Sequence, residues 1–318
     1  MAYREADLAG VRTVPISRRA NKVDPSLLAT PPGQDRSFHA FLSSLPDILA
    51  ARDLRRVISG VSDAARTKRG VLLLLGGHVV KTGMGPLLIE LIRRGVVTHL
   101  ALNGAAAIHD FELAAYGGTS EDVESGLADG SFGMAEETGR DMNAAIATAA
   151  ASGRGLGEGL AFALAARSAR PGESVSLLLA CLEHDVPVTV HAAIGAEIIH
   201  QHPTANGAHL GETSHRDFRR LAGSIPDLND GGAVLNLGSA VVMPEVFLKA
   251  LTIARNLGGG KPTDFLAADF DMQRHYRPRV NVVERPTRGG GTGIQITGHH
   301  ELVLPLLVWG ILDRLDAR

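Results

Sequence analysis

The chain has a single cysteine, Cys181, in 318 residues, so no intrachain disulfide can form and a reducing, cytoplasmic setting is the simpler expectation. Aromatic side chains are scarce at 4%, with one Trp and three Tyr. The core must then be filled by Ala, Gly, Leu and Val, a bias that suits helices lying close against a parallel sheet and argues against a strand-rich sandwich. A charge imbalance is missing as well: 32 basic and 34 acidic residues leave a formal charge of −2, which gives no electrostatic reason to expect nucleic acid or an anionic membrane surface as a partner. The opening, MAYREADLAGVRTVPISRR, has no apolar core of a secretory signal, and the longest late apolar run, residues 302–312, is too short to span a bilayer. What these absences leave is a soluble protein whose default partner is a small molecule.

Apolar residues at 45% and charged residues at 21% describe a packed globule. Residues 1–35, rich in Arg, Pro and Ser without periodicity, read as an extended arm, and residues 36–318 as one α/β domain. Helical spacing of Phe41, Leu45, Ile48, Leu54, Val57, Ile58 and Val61 predicts helix over 37–66, divided at Pro46. VLLLL at 71–75 is a buried strand, 85–94 a helix and 96–102 a second strand, which completes a strand–helix–strand unit. Helices follow over 106–116, 134–152 and 157–167, with Thr119 or Ser120 expected to cap the next helix. The same alternation continues with helix 175–183, strand 186–190, helix 218–222, strand 233–237 and helix 245–256. Strands at 264–270, 280–283 and 294–297 precede a last helix from His300. The fold class is therefore α/β, Rossmann-like, with a largely parallel sheet and helices on both faces.

Several clusters fall where such a sheet gathers ligands, at the carboxyl ends of strands. LLLLGGHVVKTGMG opens a strand into Gly76, Gly77, His78, Lys81, Thr82 and Gly83, an arrangement that lets a phosphate approach the main chain or simply makes a turn. LALNGAAAIHDFE places Asn103, Gly104, His109 and Asp110 at the neighbouring edge. His109 and Asp110 are either a proton-transfer pair or a polar pair at a helix start. HAAIGAEIIHQHPTANGAHLGETSH carries His191, Glu197, His200, His202, His209 and His215, a composition that suits a metal, although its spacing matches no template. GRGLGEG reads as a flexible connection. ERPTRGGGTG, with Arg285 and Arg288, reads as an anion clamp or a loose hairpin loop. His299, His300 and Glu301 line the cleft or cap the last helix.

Taken in order, these motifs resemble the deoxyhypusine synthase family from about residue 71 to 307. GGHVVKTGM with VVTHLALNGAAAIHDFE is similar to that family's first two cofactor-edge strands. VPVTVHAAIGAEIIHQH is similar to its IPVFSPALTDG segment, AVLNLGSAVVMPEVFLKALTIARNLGGGKPTDFLAADFD to its glycine-rich strand end, helix and Asp-bearing strand, and ITGHHELVLPLLV to its closing YADASLVFPLLVA. The resemblance implies NAD bound at strand ends by Gly76, Gly77, Lys81, Thr82, Gly83, Asn103, Gly104, Gly238, Ser239, Asp271 and His299, and a homotetramer with sites between paired subunits. It also implies departures. The family passes an aminobutyl group from spermidine through a lysine imine, yet residues 280–307 contain no lysine, and Pro244 and Glu245 stand where the family has paired histidines. The expectation is a divergent, NAD- or nucleotide-binding enzyme, transferase- or oxidoreductase-like, acting on a small substrate through His78, His109, Asp110 and Glu245, with Glu245 as a replacement base. The alternatives are a metal-dependent hydrolase or isomerase using His191, Glu197, His200 and His202, and a non-catalytic oligomeric binding protein.

Overall fold

The computed structural model describes residues 3–317. The chain forms two compact units that divide between Arg52 and Asp53, so the compositional break at residue 35 falls inside the first. That unit contains three single-turn 3-10 segments and the helix Phe38–Ser44, capped by Ser37, which accepts from the Ala40 N–H; through Ser37, every described residue but Leu27 is exposed. The helix ends ahead of Pro46 and a second one, Leu49–Arg66, begins beyond it, the division the sequence predicts.

The second unit is built on six strands: β1 (Val71–Leu75), β2 (His99–Asn103), β3 (Val188–His191), β4 (Ala233–Leu237), β5 (Leu266–Asp271) and β6 (Thr292–Thr297). All pairings are parallel and the order is β3-β2-β1-β4-β5-β6. β1 is central, with Leu75 opposite both Leu102 and Leu237, and every residue of it is buried, which is why its apolar run is unbroken rather than alternating. One face, with Leu72, Leu74, Val234 and Ala267, packs on the helices Gly207–Ser224 and Val242–Leu257 and on the segment Pro278–Glu284. The helices Gly85–Arg93 and Gly104–Tyr116 both pack on Leu177–Glu183, and His300–Asp316 packs on Gly85–Arg93 and β5, covering the face to which Leu73 and Leu75 turn. Strand order reverses between β1 and β4, and in open α/β sheets the crevice outside the carboxyl ends at that point collects ligands.

Four local expectations are corrected. The valine-rich run at 280–283 is not a strand; it belongs to the π-helical segment Pro278–Glu284, whose Val280, Val282 and Val283 are buried, so tertiary packing overrides β-propensity. GRGLGEG is not a loose connection: Gly157 and Gly159 lie in the helix Leu156–Ala165, and a Cβ on Gly157 would stand 2.4 Å from the Val188 carbonyl oxygen. The expected helix 218–222 is Gly207–Ser224, whose mostly polar first turns hide its length. Asp122, not Thr119 or Ser120, caps the helix Val123–Asp129 by accepting from the Ser125 N–H. Among the described residues no helix is long and apolar enough to cross a membrane.

Candidate functional site

β2 ends at Asn103, whose side chain accepts from the Ala106 N–H at 2.9 Å and so starts the helix Gly104–Tyr116. Along that helix Ala105, Ile108, His109, Glu112 and Tyr116 recur at one-face spacing and form a wall of a cavity of about 750 Å³. Lys81, the segment Gly118–Glu121, Glu137 and Thr138 of the helix Glu136–Ala151, and Glu197 after β3 complete it. The space matches that of pockets for small molecules.

His109 is partly buried in this wall. Its Nδ1 lies 2.8 Å from the Thr119 hydroxyl oxygen, the Thr119 hydroxyl donates to Glu112 Oε2, and the Thr138 hydroxyl donates to Glu112 Oε1 at 2.9 Å. Burial holds the His109 pKa below the usual imidazole range, Glu112 pulls it up, and Lys81 and His78 press it down again.

Glu197 closes the cavity over the start of the same helix. A Cβ on Gly104 would lie 2.3 Å from the Glu197 carboxyl carbon, so any larger residue there would have to displace the end of that side chain. Glu197 Oε1 accepts from the Ala193 N–H at 2.8 Å, and Oε2 is 3.0 Å from His200 Nε2 but off the hydrogen-bond axis. Burial pushes the carboxyl pKa up to about 7.

The other residues singled out from the sequence divide sharply. Asp110 is corrected: it is fully buried and faces away from His109, accepting from the Leu177 and Leu178 N–H groups at 2.7 and 3.0 Å and from the Ser176 hydroxyl at 2.8 Å. It anchors the helix Leu177–Glu183. Glu245 sits in an ion-pair cluster. Its carboxylate is held by Lys249, by Asn281 at 2.9 Å and by Arg277 at 3.2 Å, and the Lys249 hydrogen bond leads in lowering its pKa.

The glycines at the β1 and β2 tips make close protein contacts. A Cβ on Gly76 would be 2.0 Å from the Gly238 carbonyl oxygen, and one on Gly77 would meet Ala105 and His109. Lys81 lines the cavity; Thr82 returns its hydroxyl to the His78 carbonyl, and Gly83, in the left-handed region at φ 84°, faces open space. At the β4 and β5 tips, Ser239 caps the helix Val242–Leu257 through the Met243 N–H, and Asp271 is a nearly buried carboxylate whose Oδ2 lies 3.9 Å from His275 Nε2. His299 is exposed beside Glu301. His300, 1% exposed, has Nε2 3.3 Å from the Phe270 carbonyl and its ring against Gly238, 5.5 Å from the His78 ring. Its Nδ1 is buried and has no hydrogen-bond partner among the described residues.

The histidine-rich segment is dispersed. His191 is the end of a buried chain, Ser224–His99–Thr189–His191, with links of 2.8, 2.9 and 3.1 Å; burial lowers the two imidazole pKa values to about 4 for His99 and about 3 for His191. His202 bonds Thr204, and among the described residues no three His, Cys, Asp or Glu side chains are placed to share a metal ion. Thr119, Glu112, Thr138 and the seating of Glu197 on Gly104 were not singled out from the sequence as parts of one site. Only the spacing His109-x-x-Glu112, which puts two side chains on one helical face, was legible.

No protein-family model matches the chain, and no curated protein does. Solved structures do. A putative deoxyhypusine synthase from Entamoeba histolytica superposes with a TM-score of 0.52 at 10% identity, over 87% of this chain and 93% of that one. AgrE in its ternary complex with ornithine and NAD+ superposes at 0.50 and 16% identity, over 85% of this chain and 34% of that one. A conserved putative LOR/SDH protein from Methanococcus maripaludis S2 gives 0.48 at 17% identity, over 85% and 71%. The chain spans about a third of the length of AgrE and of the arginine dihydrolase ArgZ. At these identities the likeness is one of fold: a six-stranded parallel Rossmann-like sheet of the deoxyhypusine synthase kind.

Proposed function

We propose that the chain is an enzyme that holds a small polar substrate in the cavity beside β2 and a nicotinamide dinucleotide at the neighbouring β4 and β5 tips. The observation that carries this reading is the cavity of about 750 Å³, at the carboxyl edge of the sheet, lined by the His109 imidazole and by Lys81, Glu112 and Glu197.

The β4–β5 side fits the dinucleotide better than the glycines of β1 and β2 do. His300 Nδ1 is an unmet buried acceptor beside Gly238, able to take a hydrogen bond from a hydroxyl or amide, and Asp271 offers a carboxylate at the adjacent strand end for sugar hydroxyls. His78 and His299 flank that position, and Lys81 stands on the cavity side. A nicotinamide dinucleotide held there would supply hydride-acceptor chemistry. The chain's own residues orient the substrate through Lys81 and Glu197 and take up its proton at His109. Authentic deoxyhypusine synthesis is not part of the proposal, because residues 280–307 carry no lysine to form the imine. Homotetramer assembly belongs to the proposal through the family resemblance alone, and sedimentation velocity tests it.

Titration calorimetry of the intact protein with NAD, NADP and ATP tests the reading. Saturable heat with NAD is expected, together with a thermal shift equivalent to about 2.7 kcal/mol at a hundredfold excess over Kd. No heat with any of the three at millimolar concentration overturns it.

A further inference from the structure

We infer that Thr119 and Glu112 are positioning residues that lock His109 in its Nδ1–H form, leaving the unprotonated Nε2 as the proton acceptor that the cavity offers its substrate. The inference rests on the cavity being the substrate site and goes beyond it by assigning the atom that reacts.

The argument is a count of protons. A threonine hydroxyl has one hydrogen to give. Thr119 gives it to Glu112 Oε2, so toward His109 it can only accept, and the 2.8 Å contact to Nδ1 must be an Nδ1–H donation. Glu112 does not reverse the chain, since a carboxylate has only acceptors to offer and its other oxygen already accepts from the Thr138 hydroxyl. A neutral imidazole with its hydrogen on Nδ1 has its lone pair on Nε2. Among the described residues Nε2 has no protein partner, while the ring edge next to it, Cδ2, packs toward Gly77.

Groups of either sign that face the ring are Glu112 on its own helix, Lys81 and His78 on the helix Gly77–Lys81, and Glu121, Glu137 and Glu197 elsewhere on the cavity wall. In the step itself, an X–H bond of the substrate breaks, its proton goes to Nε2 and its electron pair stays on X. The resulting imidazolium is steadied by the Glu112 carboxylate through the Thr119 hydroxyl, in the manner in which a carboxylate orients a catalytic imidazole.

Long-range proton–nitrogen correlation spectra of protein labelled with nitrogen-15 histidine read the tautomer directly in the ligand-free state, with His109→Gln identifying the signals. The wild type at pH 7.5 is expected to give a protonated Nδ1 and an unprotonated Nε2. Thr119→Val removes the hydroxyl at constant shape and should shift the population to Nε2–H; Thr119→Ser should restore the native pattern. Glu112→Gln replaces one of the two acceptor oxygens by an amide N–H, which can free the Thr119 hydroxyl to donate to His109 and should lower the Nδ1–H population. A wild-type Nε2–H ring, a mixture of both forms, or a pattern unchanged in both Thr119→Val and Glu112→Gln overturns the assignment. Because no ligand is present, failure here is distinct from failure of the nucleotide titration.

Discussion

Replacing either of two adjacent residues, His109 and Asp110, should have opposite consequences. Asp110→Ala removes the carboxylate that accepts from the Leu177 and Leu178 N–H groups, which open the helix Leu177–Glu183, and from the Ser176 hydroxyl. The site is fully buried, so water cannot replace the carboxylate without opening the packing. Each orphaned buried donor costs roughly 1–3 kcal/mol, which puts the total for the two N–H groups and the hydroxyl at about 3–5 kcal/mol once relaxation is allowed. Urea unfolding followed by far-ultraviolet circular dichroism should report this as a lower midpoint at unchanged slope. At roughly 2–4 °C per kcal/mol the melting temperature should fall by about 6–20 °C. His109→Ala forfeits one hydrogen bond from a partly buried ring, about 1 kcal/mol, and leaves the fold standing while removing the proton acceptor. An Asp110→Ala protein that loses less than about 1 kcal/mol, or less than His109→Ala does, would refute the division of labour between the two.

Three further outcomes follow from the geometry. Gly104→Ala should destabilise the protein by about 1–3 kcal/mol by driving its Cβ into Glu197, and Glu197→Ala in the same chain should recover most of it; additive losses in the double-mutant cycle would remove the close approach as the cause. Asp110 and Asp269 (both raised to about 6) and Glu197 and Asp217 (both raised to about 7) contribute stability that is full below their unfolded values near 4 and lost as pH climbs through 6 to 7. His99 and His191, lowered to about 4 and about 3, contribute stability present above 6.5 and lost as pH falls toward those values. The melting temperature should therefore decline as pH rises through 6 to 7, and a rise across that window contradicts the burial argument. Glu245→Gln breaks only a partly exposed ion-pair cluster and should cost no more than about 1 kcal/mol with nucleotide binding unchanged, as calorimetry on the variant would check.

The strands were legible because a parallel sheet covered on both faces writes itself as apolar runs such as VLLLL and AVLNL, and their order along the chain alternates with helical spacing. Side-chain direction was less legible. Adjacent residues on a helix point about 100° apart, so whether His109 or Asp110 met the cavity depended on the helix's rotation, which is set by Leu177 and Leu178 arriving from 67 and 68 residues away. The glycines were ambiguous for a related reason: at Gly76 and Gly104 the absent Cβ makes room for Gly238 and Glu197, and close protein packing leaves the same trace in a sequence as close ligand approach. Valines at 280–283 carried strand propensity into a π-helical segment because burial against β5 and β6 rewards their shape in either conformation.

Thr119 lies on a connection, where a mobile hydroxyl would hold an imidazole poorly, and the surrounding chain removes that freedom from several sides. Gly117, at φ 81°, closes the helix Gly104–Tyr116 in the left-handed conformation, its N–H bonded to the Leu113 carbonyl. Ser120 takes a positive φ of 70°, an uncommon backbone state for a residue with a side chain. Glu121 accepts from the Gly133 N–H at 2.9 Å, and Asp122 begins the next helix by capping Ser125. Four consecutive constraints over six residues place the Thr119 hydroxyl between His109 and Glu112 before any substrate arrives, and such preorganisation lets a hydrogen bond orient a base without an entropy cost at the moment of proton transfer. Gly117→Ala, which forces a Cβ into the left-handed cap and within 3.5 Å of Pro171, should therefore blur the His109 tautomer in the same spectra even though it touches neither His109 nor Glu112. A sharp, native Nδ1–H signal in that variant would mean that the Glu112 bond alone holds Thr119 and that the loop's rigidity is incidental.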